Sequence, residues 1–210
     1  MKCAGIVLCG GQSRRMGTDK AWLPFGGGAN GPETMLQRIV RILGEAVSPV
    51  VVVAAATARL PELPPDVRIA FDRQPDRGPL EGLAVGLSKL PADVVSAYVT
   101  SCDAPLLRPA FIRRMVELPG DEAVAVPNVD GRLHPLAAVY RLTVLPEVER
   151  RLAENQLRLT ELVESLHPRI VHPEELRDID PDLQSLRNIN DPEEYRAALA
   201  ISLRSSSPTP

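Results

Sequence analysis

Apolar, β-branched runs alternate with helical patterns along most of this chain. After an N-terminal apolar run, four more runs are predicted to be buried strands: Val50 to Ala55, Val67 to Phe71, Val94 to Thr100 and Ala123 to Val126. The segments between them have apolar residues at helical spacing: Glu33 to Ala46, Leu80 to Leu90 and Pro109 to Leu118. Such alternation is typical of a mostly parallel sheet covered by helices on both faces. We therefore predict an α/β fold, a Rossmann-like three-layer α/β/α sandwich whose sheet is mostly parallel with mixed edges.

The first predicted strand runs directly into a glycine-rich, basic loop. The apolar run Gly5 to Leu8 is followed by Cys9 and the glycine pair Gly10–Gly11. Glycines let the backbone turn tightly, and the free N–H groups of such a turn form a concave anion site. Three cations follow at short spacing: Arg14, Arg15 and Lys20. A glycine turn alone is more often a surface turn, but the added cations favour a polyphosphate ligand.

Two common phosphate-binding motifs do not explain this loop. A P-loop requires a glycine, four residues and then Gly-Lys-Ser/Thr, and neither Gly10 nor Gly11 starts that pattern. A G-x-G-x-x-G pattern begins at Gly26, but it lies outside any clear βαβ unit. We predict a flexible turn over residues 26–31.

Length and composition indicate a soluble globular protein. The 210 residues are 44% hydrophobic and 24% charged, which suits one domain over residues 1–203 and a disordered Ser- and Pro-rich tail over residues 204–210. The net charge of −3 argues against nucleic-acid binding, and neither a signal peptide nor a membrane-spanning run is predicted. Cys3, Cys9 and Cys102 form neither an even disulfide framework nor a C-x-x-C pair, so we expect reduced thiols and a cytoplasmic location.

Two aspartates follow predicted strands, at the edge where parallel sheets bind ligands. Asp103 comes directly after one buried run, and its carboxylate is suited to Mg²⁺, which takes one or two carboxylates together with phosphate oxygens and water. Alternatively, Asp103 only shapes the turn before Pro105. Asp72 follows another run and either accepts hydrogen bonds from a nucleotide or stabilises its turn. Gly78–Pro79, at a predicted helix start, would expose backbone amides, which is a weak signal alone.

The second half of the chain carries further polar candidates. His134 precedes a proline and is by default structural or solvated. Asn188 and Asn190, on one face of a predicted short strand, either bind a ligand rich in heteroatoms or cap the following helix, Glu193 to Ile201. Arg158 lies between two predicted amphipathic helices and is either a second phosphate contact or a solvated arginine.

Several of these stretches together resemble one family. The run Leu8 to Lys20 resembles the signature L-x-G-G-x-S-x-R-M-G-x-D-K of the molybdenum cofactor guanylyltransferases, members of the nucleotidyltransferase superfamily. Further similar stretches follow in the family's order: Asp72 with Gly78-Pro79-Leu80-x-Gly82, Cys102-Asp103-x-Pro105, His134-Pro135 and Asn188-Ile189-Asn190-x-Pro192-Glu193. The first stretch is specific, the later ones are persuasive together, and they span nearly the whole chain.

The resemblance implies a nucleotide-diphospho-sugar transferase-like fold and a role for each stretch. The residues implied to bind GTP are Leu8, Cys9, Gly10, Gly11, Ser13, Lys20, Asp72, Gly78, Pro79 and Asp103. Arg15, Lys20 and Asp103 would be catalytic, with Asp103 holding Mg²⁺, and Arg158, Asn188 and Asn190 would line the molybdopterin side.

The implied reaction is attack by the terminal phosphate of molybdenum-molybdopterin on the α-phosphorus of GTP, with release of pyrophosphate. Other cofactor-biosynthesis proteins and molybdoenzyme apoproteins are implied partners, whereas nucleic acid and membranes are not.

One stretch departs from the family pattern. Where the family has asparagines after the second strand, this chain has alanines at residues 54–56, so contacts to the base must come from the backbone or from elsewhere. Transfer of another nucleotide such as CMP, or transfer to another phosphorylated acceptor, therefore stays an alternative. A second alternative is a nucleotide-binding partner protein without catalysis, against which Arg15, Lys20 and Asp103 argue.

Overall fold

The computed structural model describes residues 2–10, 19–28, 31–118 and 120–205. Within these ranges ten strands and six helices follow one another: β1 (Cys3–Cys9), β2 (Pro24–Gly28), β3 (Gly31–Thr34), α1 (Met35–Gly44), β4 (Val50–Ala54), β5 (Arg68–Phe71), α2 (Gly78–Ser88), β6 (Ser96–Ser101), α3 (Pro109–Glu117), β7 (Val124–Val129), β8 (Arg132–Leu133), β9 (Ala137–Arg141), α4 (Leu145–Ala153), α5 (Leu159–Ser165), β10 (Arg169–Val171) and α6 (Pro192–Ser205).

Eight of these strands form the main sheet, in the order β10-β7-β9-β6-β1-β4-β5, with β8 paired to β7. Strands β6, β1, β4 and β5 are parallel, whereas β9 runs antiparallel to both of its neighbours. Every residue of β1 and β4 is buried, which explains their continuous apolar sequence. The predicted sheet, mostly parallel with mixed edges, is confirmed.

Helices cover both faces of this sheet. Ile39 of α1 and Phe111 of α3 belong to the apolar cluster on one face, and Leu83 of α2 and Val148 of α4 belong to the cluster on the other. Helix α2 lies very close to the centre of the sheet, since a Cβ atom at Gly86 would lie only 2.7 Å from Ile6. A Cβ atom at Gly82, one turn earlier, would lie 3.1 Å from Leu8, so the start of α2 lies at the carboxyl end of β1.

The predicted flexible turn is wrong for residues 26–28 and 31, which belong to the antiparallel strands β2 and β3 of a hairpin, whereas residues 29–30 lie outside the described residues. The hairpin is covered by α6: Phe25 and Ala198 share an apolar cluster, and the Tyr195 hydroxyl donates to the Pro24 carbonyl. A run of glycines shows no alternation of apolar and polar residues, so the sequence pattern gave no strand signal here.

Three predicted boundaries also differ from the structure. Helix α1 begins at Met35 instead of Glu33, because Thr34 and Gln37 form a capping box. Residues 188–190 form an irregular extended segment instead of the predicted strand. Helix α6 continues through Ser205, past the predicted start of the tail, and residues 206–210 lie outside the described residues. Of the helices that the structure describes, none combines the length and the apolar character needed to cross a membrane.

Candidate active site

The two predicted aspartates lie at the same edge of the sheet, where β1, β4, β5 and β6 end. The Cys102 N–H donates to the Leu8 carbonyl at 3.1 Å, and the Asp72 N–H donates to the Ala54 carbonyl at 2.9 Å. These bonds extend the parallel pairing by one residue beyond each strand, and so place Asp103 beside the end of β1 and Asp72 beside the end of β4. A Cβ atom on Gly10 would lie 3.9 Å from Asp72 Oδ2, so the glycine backbone passes close to this carboxylate.

Lys20 connects the N-terminal part of the site to the third strand end. It opens a 3₁₀ turn whose first N–H groups are capped by Asp19, with Oδ1 accepting from Ala21 N at 3.0 Å. The Lys20 Nζ atom lies 2.9 Å from Asp103 Oδ2 and 3.3 Å from Asn190 Oδ1. The lysine and aspartate side chains are only 14% and 18% exposed, so their attraction is screened less than that of a surface pair.

Asp103 is held from two further directions. The Ser101 hydroxyl donates to its Oδ1 atom, and the Ile189 N–H donates to its backbone carbonyl at 2.8 Å. The second bond joins the segment that carries Asn190 to the end of β6. Ser101 is a site residue that sequence reasoning missed; its signal is a hydroxyl two positions before the aspartate at a strand end.

The two asparagines before α6 are not its cap. Asp191 Oδ1 accepts from the N–H groups of Glu193 and Glu194, each at 2.9 Å, and therefore caps this helix. The alternative that Asn188 and Asn190 serve as the helix cap is wrong. Both asparagines are exposed, and the side chain of Asn190 points its oxygen to Lys20.

On the other side of Gly10, Asp72 belongs to a charged network that sequence reasoning also missed. Glu81, in the first turn of α2 and 3% exposed, accepts from Arg73 N at 3.1 Å and from Arg73 Nε at 2.9 Å. Arg73 also reaches Glu149 of α4 at 3.0 Å. Burial, together with the nearby charge of Glu81, raises the pKa of Asp72. The available signal was an acidic residue within the apolar pattern Leu80 to Leu90.

The start of α2 presents uncapped backbone amides. Gly78 has a φ of +67°, a conformation that favours glycine, and it is followed by Pro79 in the first turn. Arg77 stands at the cap position but makes no side-chain cap bond, and instead donates to Gln74 at 3.0 Å and to the Leu152 carbonyl. The first turn can therefore donate to an anion.

Several predicted site residues are not brought to this edge as side chains. Leu8 and Cys9 are buried, so only their backbone atoms are available to a ligand. The Arg158 side chain is 81% exposed and pairs with Glu161 at 3.0 Å, and it contacts neither Asp103 nor Asn190. The remaining predictions, Gly11, Ser13 and Arg15, lie outside the described residues.

A cavity of about 470 Å³ adjoins the segment that carries the asparagines. Its lining includes Arg177, Arg187 and His134 together with apolar side chains of Val129, Leu183 and Leu186. Within the part of the chain that the structure describes, neither arginine forms an ion pair. Burial, followed by the charge of Arg132, lowers the pKa of His134, which keeps the imidazole neutral near pH 7.

The described residues contain no group of three or more His, Cys, Asp or Glu side chains suited to a metal ion. At this edge the described residues therefore provide a metal ion with single carboxylates and not with a complete set of protein ligands. Mg²⁺ is commonly bound in this way, with phosphate oxygens and water as its other ligands. The donor set at Asp103 fits that mode.

Comparison with known proteins identifies the family of the chain. A family model described as "MobA-like NTP transferase domain" matches residues 5–169. The chain belongs to this family. A protein of Chloroflexus aggregans named "Probable molybdenum cofactor guanylyltransferase" is 34% identical over 203 residues, which cover 95% of both chains. Membership in the MobA-like family makes the chain an enzyme, a nucleotidyltransferase.

Solved structures show the same fold. The molybdopterin-guanine dinucleotide biosynthesis protein A of Archaeoglobus fulgidus superposes with a TM-score of 0.75 at 21% identity, covering 96% of this chain and 99% of that one. A Mycobacterium tuberculosis protein, solved as a complex with manganese, superposes with a TM-score of 0.59 at 17% identity, covering 95% and 98%. In this MobA-like chain, the ion pair of Lys20 and Asp103 lies at the edge where the family resemblance places the nucleotide.

Proposed function

We propose that this chain transfers GMP from GTP to the terminal phosphate of molybdenum-molybdopterin, giving the guanine dinucleotide form of the cofactor and pyrophosphate. The observation that carries the proposal is the contact of Lys20 with both Asp103 and Asn190. It joins a cation, a carboxylate and an amide from distant parts of the chain at one edge of the sheet. The name of the 34% identical relative supports the choice of acceptor.

The reaction needs positioned charges more than a covalent nucleophile. In phosphoryl and nucleotidyl transfer, catalysis rests on orientation and on neutralising the charge that develops on the phosphates. Lys20 would exchange its partner Asp103 for a phosphate oxygen, and the uncapped N–H groups in the first turn of α2, such as that of Gly78, would donate to the nucleotide. Arg15 would add a second cation. Asp72, beside Gly10, would accept hydrogen bonds from the nucleoside.

Asp103 would hold Mg²⁺. One of its carboxylate oxygens accepts from Ser101, and the other is bonded to Lys20, a cation that a metal ion can replace. When bound, the ion supplies positive charge to the phosphates of the nucleotide. The manganese complex of the mycobacterial structural relative supports a divalent ion in this fold.

The acceptor would lie on the opposite side of Asp103 from Asp72. Amide groups such as those of Asn188 and Asn190 bind ligands rich in heteroatoms, because each offers both donors and an acceptor. Arg187, which lines the cavity together with Arg177, directly precedes Asn188, and arginines are well suited to phosphate and other anions. The lining also includes Asp182, so the cavity offers hydrogen-bond donors and acceptors to a ligand rich in heteroatoms.

Nucleotide binding tests the proposal most directly. We expect GTP with Mg²⁺ to bind at least about tenfold more tightly than CTP, ATP or UTP, and to release pyrophosphate when molybdenum-molybdopterin is added. A preference for CTP would overturn the guanine assignment and favour the alternative that follows from the alanines at residues 54–56. Tight GTP binding without pyrophosphate release would favour a non-catalytic partner protein.

A further inference from the structure

Cys9 and Cys102 lie side by side at the ends of neighbouring strands. Strands β1 and β6 are parallel and paired as far as Leu8 and Ser101, and the Cys102 N–H donates to the Leu8 carbonyl. The next positions on the two strands are the two cysteines. Both side chains belong to the same apolar cluster and are almost fully buried.

The two cysteines directly precede two residues of the candidate site. Cys9 directly precedes Gly10, whose backbone passes Asp72, and Cys102 directly precedes Asp103. A covalent bond between the two sulfurs would act on both halves of the candidate site at once. The third cysteine, Cys3, is buried at the opposite end of β1 and is paired in register with Ser96.

We propose that Cys9 and Cys102 are a site of reversible oxidation. A low-molecular-weight disulfide such as oxidised glutathione oxidises the two thiols to an intramolecular disulfide, and this bond weakens nucleotide binding. The spacing of the strands permits the bond. Neighbouring strands lie about 4.8 Å apart, and the Cα atoms of bridged cysteines lie about 4.4–6.8 Å apart.

The chemistry is a balanced thiol–disulfide exchange. One protein sulfur attacks the small disulfide, which forms a mixed disulfide and releases the first small thiol. The second protein sulfur then attacks the first, which closes the Cys9–Cys102 bond and releases the second small thiol. The two protein thiols lose two electrons and two protons, and the small disulfide gains both to become two thiols. Gly10 is exposed, so the end of β1 is the side from which the oxidant reaches the pair.

Closing the bond constrains the backbone on both sides. The Cβ atoms of a disulfide lie about 3.5–4.5 Å apart, so the two side chains must turn towards each other and keep one mutual orientation. Gly10 and Asp103 directly follow the two cysteines, so this constraint acts on both halves of the candidate site. The formation of the bond is independent of the proposed reaction, whereas its effect on GTP rests on the proposed function.

The test treats the full chain with oxidised glutathione and measures three quantities: free thiols, the bridged peptides by mass spectrometry, and the Kd for GTP with Mg²⁺. We expect two of the three cysteines to be lost as free thiols. We also expect a peptide that joins Cys9 to Cys102, and a Kd raised about tenfold or more that dithiothreitol restores.

Two variants serve as matched controls, each compared with its own reduced form. Cys3→Ala should keep the full response, and Cys102→Ala should lose both the bridge and the change in Kd. Circular dichroism checks that Cys102→Ala is folded. If that variant does not fold, the mass-spectrometric search for the Cys9–Cys102 peptide in the chain without substitutions still tests the proposal.

Absence of the Cys9–Cys102 peptide overturns the proposal, and so does a bridge that leaves the Kd unchanged. Equal inhibition of Cys102→Ala also overturns it. A reduced chain that does not bind GTP overturns the proposed function instead, and the oxidation site is then judged by the peptide map.

Discussion

Lys20 Nζ lies 2.9 Å from Asp103 Oδ2, although the two residues are 83 positions apart in the chain. A phosphate ligand requires the cation, and a divalent metal ion requires the carboxylate. In the structure each of the two charges neutralises the other. Nucleotide and metal must therefore replace this ion pair when they bind, and we expect their binding to be mutually dependent.

Replacing Lys20 by alanine should reduce turnover about a hundredfold or more, because a cation that stabilises the phosphates commonly contributes a few kcal/mol to the transition state. The measurement is pyrophosphate release from GTP and loaded molybdopterin. Lys2→Ala is the matched control, since Lys2 also pairs with one aspartate, Asp93 at 2.8 Å, but is exposed and lies at the other end of β1. The control should retain its activity. Near-normal turnover of Lys20→Ala would show that the site is wrongly assigned.

Replacing Asp103 by asparagine should abolish activity or raise the Mg²⁺ concentration that it needs, because a neutral amide oxygen binds a hard divalent ion much less well than a carboxylate. Titration of MgCl₂ against initial rate checks this for both proteins. If the aspartate only shapes the turn, the Mg²⁺ dependence will stay the same and only the melting temperature will fall.

Glu81 is a positioning residue for the turn after β5, because it binds both the backbone and the side chain of Arg73 next to Asp72. Glu81→Gln should raise the KM for GTP about tenfold and change kcat by less than about twofold. Glu149→Gln removes the more exposed carboxylate from the same arginine and should leave the KM nearly unchanged. Equal effects of the two variants would exclude a special role for Glu81.

Asp72 should limit stability at neutral pH. Burial and the charge of Glu81 raise the pKa of Asp72 above 3.8, so ionisation of this carboxyl disfavours the folded state. The free energy of unfolding therefore falls as pH rises from 3.8 through the raised pKa. Asp72→Asn should therefore melt at a higher temperature than the parent at pH 7, and this gain should disappear below the ordinary pKa of 3.8. The same variant should bind GTP less tightly. A lower melting temperature of Asp72→Asn at pH 7 would contradict the expected direction of the effect.

Asn190 and Asp191 are neighbours with separable tasks. Asn190→Ala removes a contact of Lys20 and should raise the KM for the acceptor without changing the melting temperature. Asp191→Ala removes the cap of α6 and should lower the free energy of unfolding by about 1 kcal/mol, with little change in the KM. Chemical denaturation and steady-state kinetics on both variants measure the two effects. If Asn190→Ala lowered the free energy of unfolding and Asp191→Ala raised the KM for the acceptor, the two roles would be wrongly assigned.

Much of the fold could be predicted because the central strands β1 and β4 are apolar and buried at every position. Burial on both faces leaves such a sequence few alternatives, and the two strands end within one residue of Leu8 and Ala55, the last residues of the predicted runs. The β2–β3 hairpin could not be predicted, because its stability comes from α6, which is distant in sequence. Local patterns carry no information about such a covering helix.

The candidate site was predictable to the extent that it follows strand ends. Asp72 and Asp103 could be placed because topology alone brings the carboxyl ends of parallel strands together. The bond of Lys20 to Asn190 and the network of Arg73 with Glu81 depend on side-chain directions in loops and helix starts. Sequence spacing does not fix these directions. The same holds for Arg158, which directly precedes α5 and pairs with Glu161 in the first turn of that helix.

The dependence of Asp103 on residues 189–190 determines how early the candidate site can form while the chain is being synthesised. Chains emerge from the ribosome with the N-terminus first, and the early part begins to fold while the rest is being made. A nascent chain that ends before residue 189 lacks the Ile189 bond to Asp103 and the Asn190 contact of Lys20, and α6 does not yet cover the β2–β3 hairpin. The Lys20–Asp103–Asn190 arrangement is therefore assembled only after residue 190 has left the ribosome.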